Sequence, residues 1–225
     1  MILAAHQPQF MPWLGYFDKM LRCDSFVLLD NVQFKKNEWQ NRNRVLMNGT
    51  PSWLTVPVLH RFPQNIDEVE INSSGADWRE KHLRTIKQSY CKAPFFEEVF
   101  ALVSGLYAKR WEKLCPLNIA SIELLREALA IKTPLALASV LKLEGASTHR
   151  LVDLCLKQGA DTYLAGAGGH DYMDLSLFEQ AGIKVIFQDY KHPEYAQTVP
   201  FVPYLSALDL LFFQGIQKAR SFFAK

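Results

Sequence analysis

Met1-Ile2-Leu3-Ala4-Ala5 runs straight into His6-Gln7-Pro8-Gln9-Phe10-Met11-Pro12-Trp13-Leu14-Gly15-Tyr16, and the reading of this junction decides the fold. Five apolar residues are too few for a helix and end on turn formers, so they form a buried strand with His6 and Gln7 at its carboxyl end. Pro12 suits the start of a helix, where an N–H has no partner anyway, and the helix runs from about Trp13 to Leu21. Phe26-Val27-Leu28-Leu29 is a second apolar run, and it delivers Asp30-Asn31-Val32-Gln33-Phe34. Strand, helix and strand make one βαβ unit with parallel strands. In open parallel sheets ligands bind beyond the carboxyl ends, where the loops splay apart. His6, Gln7, Asp30, Asn31 and Gln33 are therefore expected around one crevice.

Farther along, Arg44 to Met47 and Ser52 to Val58 flank Asn48-Gly49, a dipeptide that accepts the positive φ values of a tight hairpin turn. Ile66 to Ile71 alternates apolar and acidic residues and predicts one more exposed strand. Asp77 opens a helix with Trp78, His82, Leu83, Ile86 and Tyr90 on one face, Pro94 opens a second, and a third spans about 117–131. This helical insertion, near 77–131, buries its aromatics as core. Strand and helix alternate again from Leu135, with strands over 136–141, 162–165 and 184–187 and Ser147 as an N-cap. Gly166-Ala167-Gly168-Gly169 leads into His170, and such a loop lets backbone N–H groups approach an anion, although its spacing matches neither a Rossmann nor a Walker signature. A last helix starts near Ser206. Asp209 within it either faces out or pairs with a buried cation, and surface placement is the simpler expectation.

The expected fold class is thus α/β: a mostly parallel, Rossmann-like open sheet in a single domain, with a β-hairpin region near 44–71. Strands starting near residues 1, 25, 136, 162 and 184 should be mutually parallel.

A chain of 225 residues with 49% hydrophobic content can bury a substantial core. Its formal charge of +2 argues against a general nucleic-acid binder, which would need a strongly basic face. Local charge says more. Lys35, Lys36, Arg42 and Arg44 put four positive groups within ten residues, which suits a phosphate, carboxylate or nucleotide-sugar, or else belongs to a solvated loop. No run reaches transmembrane length and no charged leader precedes the first strand, so a cytoplasmic protein is expected. Cys23, Cys91, Cys115 and Cys155 lie far apart, and the histidines lack ligand spacing, so neither a disulfide framework nor a structural metal is indicated.

The HQP, PWLGYFDK, DNVQF and QNR segments near the N-terminus resemble the WbqC-like family. The likeness continues through Trp53-Leu54-Thr55-Val56-Pro57-Val58, Ser147-Thr148-His149-Arg150-Leu151, Tyr163-Leu164-Ala165-Gly166 and Leu208-Asp209-Leu210-Leu211-Phe212. This resemblance implies a role among bacterial surface-polysaccharide (O-antigen) genes, as a transferase for which glycine has been proposed as the transferred group. A more distant likeness is to the nucleotidylyltransferase superfamily that contains pantothenate synthetase. Here Asn31-Val32-Gln33-Phe34 is similar to its NPxQF segment, and Trp13-Leu14-Gly15-Tyr16 stands where its HxGH histidines would bind phosphate.

These readings lead to an enzyme that joins a small carboxylate or acyl group to an amine or hydroxyl of a sugar. His6 is the candidate general base, with an expected pKa near 7; a turn histidine bonding its own loop is the alternative. The candidate substrate-binding residues are Gln7, Tyr16, Asp30, Asn31, Gln33, Lys35, Arg42, Arg44, Gly168, Gly169 and His170. His6, Gln33 and the Gly168-Gly169 loop should converge on one pocket. The cofactor candidates are ATP with magnesium or a nucleotide-sugar, and the partner is a small anionic substrate; oligomeric state is left open. The alternative function is a non-catalytic ligand- or partner-binding protein of a polysaccharide assembly system.

Overall fold

A computed structural model describes residues 1–198 and 200–223. In chain order the elements are β1 (Ile2–His6), α1 (Leu14–Leu21), β2 (Ser25–Leu28), β3 (Arg42–Met47), β4 (Thr50–Thr55), β5 (Val58–Leu59), β6 (Glu70–Ile71), α2 (Trp78–Tyr90), α3 (Phe96–Ala108), α4 (Leu114–Ala128), β7 (Leu135–Leu137), α5 (Ser147–Gln158), β8 (Thr162–Ala165), α6 (Leu175–Gln180), β9 (Lys184–Phe187) and α7 (Leu208–Ser221). They divide into two compact units. The first holds residues 1–7, 15–31 and 132–191; the second holds 8–14, 32–131 and 192–225.

In the first unit β7, β2, β1, β8 and β9 lie in that order in one sheet, and every neighbouring pair is parallel. The five strands expected from the sequence are all there. Their apolar runs are buried because helices cover a parallel sheet. Leu3, Ala5, Val27, Tyr163 and Ala165, alternate positions of their strands, pack with Leu151, Leu154 and Cys155 of α5 and Phe178 of α6. Gly159 ends α5 in the left-handed conformation, φ 66°. Two boundaries differ from expectation. β7 stops at Leu137 and gives way to a 3-10 turn over Ala138–Val140. α5 opens at Ser147, whose φ of 50° is not that of a right-handed helix, and the residue before it, Ala146, makes no side-chain cap bond.

Numbering the sheet's own strands in chain order gives 3-2-1-4-5, so the order reverses between β1 and β8. Such a reversal is where neighbouring connections diverge and leave a crevice at the carboxyl edge. The register Ala4↔Leu164 brings His6 and Gly166 off the sheet at the same level.

The second unit carries the β3–β4 hairpin, turned by Asn48 and Gly49 at φ 50° and 78° as the dipeptide requires. Beside it are the short β5–β6 pair and helices α2, α3, α4 and α7. The exposed strand expected over 66–71 is instead a 3-10 turn, Ile66–Glu68, followed by two-residue β6, because Glu68 closes a capping box with Asn65. Asp77 caps α2 by accepting from the Arg79 N–H at 2.9 Å.

Asp209 is a correction. It is fully buried, and its carboxylate accepts from Tyr90 Oη at 2.9 Å, Tyr195 Oη at 2.8 Å and Gln197 Nε2 at 2.6 Å. Three donors from distant segments make a cation unnecessary.

α7 breaks at Gly215, φ 72° and ψ 161°, where the backbone bends against Phe95. A Cβ there would stand 2.6 Å from one carbon of the Phe95 ring. Gly215→Ala forces a side chain into a backbone region that glycine alone normally occupies, a strain of about 1–3 kcal/mol, and adds overpacking of about 1–3 kcal/mol. A loss near 3 kcal/mol in urea-induced unfolding is expected; a loss under 1 kcal/mol would show that Phe95 yields freely.

Candidate active site

The carboxyl edge of the first unit's sheet collects several polar groups. His6 ends β1 half-buried, its ring 4.9 Å from that of buried Tyr16 on α1. His6 Nδ1 lies 3.1 Å from the Gln7 carbonyl oxygen, which can only accept, so Nδ1 carries the proton and Nε2 keeps its lone pair. Tyr16 Oη donates to the same carbonyl at 3.3 Å. Nε2 has no hydrogen-bond partner among the described residues.

Burial, and next the positive charge of Lys19, push the imidazole pKa down to about 3. The expectation of a value near 7 is not met, and His6 is neutral throughout the physiological range. An anion bound beside it would raise its proton affinity, because an opposite charge favours the imidazolium.

Lys19 is the residue the sequence reading passed over. It sits on amphipathic α1, where a lysine is normally assumed to face water, yet it is 4% exposed and donates from Nζ to the Ala5 carbonyl at 2.9 Å. Burial lowers its pKa to about 8. Its ammonium makes that one hydrogen bond among the described residues, so two of its three donors remain. A buried lysine with a shifted pKa next to a histidine at a sheet's carboxyl edge is a signature of functional sites.

The glycine loop follows β8 as a short 3-10 turn, Ala167–Asp171. Its glycines divide in role. Gly169 is buried, and a Cβ there would press on Met173 Sδ at 2.9 Å and on Phe187 at 3.2 Å. Gly166 and Gly168 have no positive φ, and a Cβ on either would meet nothing within 4 Å. Neither conformation nor packing accounts for these two, and the backbone there is left open at the switch point. Exposed His170 lies flat on Phe187, with ring centroids 3.4 Å apart.

Asp30 and Asn31 do reach this edge, but their groups are engaged. Buried Asp30 accepts from Ser139 Oγ at 2.6 Å and from the Ser139 N–H at 2.9 Å, pinning the turn after β7. Asn31 Oδ1 accepts from Arg150 Nη2 at 2.7 Å, which brings a guanidinium on α5 to the end of β2. Arg150 Nε is buried without an acceptor.

Gln33, Lys35, Arg42 and Arg44 belong to the second unit. Gln33 Nε2 donates to the Phe34 and Gln64 carbonyls, both at 3.0 Å, and so holds its own loop. Exposed Lys35 donates its backbone N–H to Gln40 Oε1 at 2.9 Å. Arg42 and Arg44 project from β3 beside Trp53, with Arg42 Cζ 4.1 Å from the centre of that ring.

Among the described residues no group of three His, Cys, Asp or Glu is placed to hold a metal ion, and no helix is long and apolar enough to cross a membrane. At the position of the HxGH signature, Trp13 and Tyr16 offer no imidazole donors, so these residues do not fit that mode of phosphate binding and no adenylation step follows from them.

The sequence model of the WbqC-like protein family matches residues 7–221. An uncharacterized protein of Mycobacterium tuberculosis, Rv1507c, is 34% identical over 220 residues, covering 96% of this chain and 94% of that protein. No solved structure matches the chain.

Proposed function

Because the chain belongs to the WbqC-like protein family, which is loosely linked to polysaccharide gene clusters, we propose that it is a transferase acting on an activated sugar, with its reaction centre at the β1/β8 switch point. The observation that carries this reading is the His6 Nε2 lone pair, kept by the Nδ1–H bond to Gln7, on a residue whose backbone leaves the sheet level with Gly166.

In this reading a sugar amine or hydroxyl approaches His6 Nε2, and the neutral imidazole takes its proton as the nucleophile attacks an acyl carbon. Negative charge develops on the acyl oxygen, and the two unspent Lys19 donors and the backbone N–H groups of the glycine loop are the groups able to receive it. As that charge returns, the bond from the acyl carbon to the leaving oxygen or sulfur of an activated acyl donor, an ester, thioester or acyl phosphate, breaks, and the imidazolium gives its proton to the leaving atom. A carboxylate or phosphate on the substrate raises the proton affinity of His6 toward the working range. Asp30 and Gln33 act as structural supports of their loops.

A thermal-shift panel of nucleotide-sugars, sugar phosphates and ATP tests the reading before the acceptor is known. A ligand present at 100 times its dissociation constant should stabilise the protein by about 2.7 kcal/mol. A flat panel, with no member shifting the melt at millimolar concentration, would favour the non-catalytic alternative.

A further inference from the structure

A second cluster lies wholly within the second unit, on the β3–β4 hairpin. The register Arg42↔Thr55 and Arg44↔Trp53, with side chains alternating along each strand, puts both arginines and Trp53 on one face. Arg42 Cζ lies 4.1 Å from the Trp53 ring centre, and Arg44 Cζ lies 5.3 Å from Trp39 and 5.6 Å from Trp53. The two indoles are 5.4 Å apart at 50°, and Trp53 is 42% exposed despite these neighbours.

The donors of this cluster are largely unspent. Stacking uses the face of a guanidinium and leaves its edge to grip an oxyanion; with Nε buried in both arginines, the donors within reach are those of the terminal Nη1 and Nη2 groups. Arg44 spends one on the Tyr204 carbonyl at 3.2 Å. Neither arginine forms an ion pair among the described residues, and both Nε atoms are buried without an acceptor. From Val32 to Ile66 the sequence offers Lys35, Lys36, Arg42, Arg44 and Arg61 against the single carboxylate of Glu38. Half-buried guanidinium groups without counter-charge call for an anion, and two adjoining indoles call for a flat ring.

We propose that the face formed by Trp39, Arg42, Arg44 and Trp53 binds a nucleoside diphosphate, its base stacked on the indoles and its pyrophosphate held by the two guanidinium edges. Base stacking on aromatic side chains tolerates any base, and the arginine fork matches phosphate geometry. Two guanidiniums on a chain of net charge +2 do not make a track for a polynucleotide backbone, so the ligand is a single nucleotide unit. For its biological use the proposal rests on the activated-sugar reading above, since a sugar activated as a nucleoside diphosphate carries this handle. Binding is measurable without turnover.

Titration of the full chain with UDP and ADP, followed by tryptophan fluorescence, tests it directly. Saturable quenching is expected from both nucleotides. Trp53→Phe should remove a large part of the signal, and Arg42→Ala with Arg44→Ala should weaken binding by roughly 30-fold or more, while Arg42→Lys, which keeps charge but loses the fork, weakens it by about 10-fold. Thermal melts of each variant establish that it is folded, and the lysine variant covers a failure of the double alanine variant. Three results would each overturn the proposal: no saturable quenching by either nucleotide, inorganic pyrophosphate binding as tightly as UDP, or a dodecameric oligothymidylate binding more tightly than both. Nucleotide binding without any transferase activity sinks the enzyme reading alone. Transfer from a nucleotide-sugar that is indifferent to the double alanine variant sinks this proposal alone.

Discussion

Asp209→Ala should lower the unfolding free energy by about 3 kcal/mol. The substitution strands Tyr90 Oη, Tyr195 Oη and Gln197 Nε2 in the interior, and each unsatisfied buried donor costs about 1–3 kcal/mol. Removing the carboxylate also relieves the cost of burying a charge, which offsets part of that loss. Tyr90 passes the effect onward. Its hydroxyl accepts from the Leu46 N–H at 3.1 Å, and its ring stacks on Phe212 at 4.2 Å, so β3, α2 and α7 all lean on the same oxygen. Urea-induced unfolding reads the loss directly; a change below 1 kcal/mol would mean that the three donors find other acceptors.

The same carboxylate sets a pH dependence with a definite sign. Burial raises its pKa from 3.8 to about 6 against the opposing pull of its three donors. The folded state therefore binds this proton more tightly than the unfolded chain does. The stability it contributes is fully present below the unfolded pKa and is lost as pH rises through about 6. Asp77, Asp153 and Asp161 work the other way, since their bonds to Arg79, to the Glu144 N–H and to the N-terminus hold their pKa values low. Comparison with Asp209→Asn, which keeps those three and cannot titrate at 209, isolates the term. Between pH 7.5 and pH 4 the native protein should gain about 3 kcal/mol over the asparagine variant. Parallel stability curves for the two proteins would remove Asp209 from the account.

The second large effect is expected on turnover. His6→Ala should reduce it by roughly 100-fold or more, the usual loss when a positioned base is removed. Folding is not left wholly untouched. The His6 ring packs on Tyr16, and a cost near 1 kcal/mol is expected, somewhat above that of an ordinary surface change. The pH profile separates this mechanism from a conventional histidine base. With its pKa pushed down to about 3, His6 should produce no inflection between pH 6 and 7 in the ligand-free protein, whereas Lys19, lowered to about 8, should produce one. An acid limb centred near 6.5 in kcat/KM would contradict the neutral assignment. On the proposal that Arg42 holds the substrate's anion equally in ground and transition states, Arg42→Ala should act differently, raising KM with kcat nearly unchanged.

Much of the frame could be read from sequence because the first unit obeys local rules. Phe26-Val27-Leu28-Leu29 and Tyr163-Leu164-Ala165 are short apolar runs bounded by polar or glycine residues, and a parallel sheet buries such runs. The side chains that matter most were hidden for one shared reason: their partners are remote. Lys19 looks like any helix lysine until the Ala5 carbonyl is placed beneath it. Asp209 looks solvated until Tyr90 arrives from 119 positions away. Amide groups are no easier to read: the place of Gln33 in a polar motif does not reveal that its N–H groups are spent on Phe34 and Gln64.

The insertion that separates β2 from β7 also governs how the chain must be made. Phe26 pairs with Leu135, so roughly a hundred residues leave the ribosome before that edge of β2 meets its partner, an interval of about 5–20 s at ordinary rates of synthesis. β1 waits longer still for Thr162 on its other side. Through that interval an apolar parallel strand pair stands with both edges unpaired, an invitation to wrong pairing with neighbouring nascent chains. The contiguous stretch from Val32 to Ile131, which supplies most of the second unit, is made during the same seconds and ends just before β7 begins at Leu135. Yield in a cell should consequently depend on holdase chaperones acting at the tunnel exit more than on the stability of the finished protein.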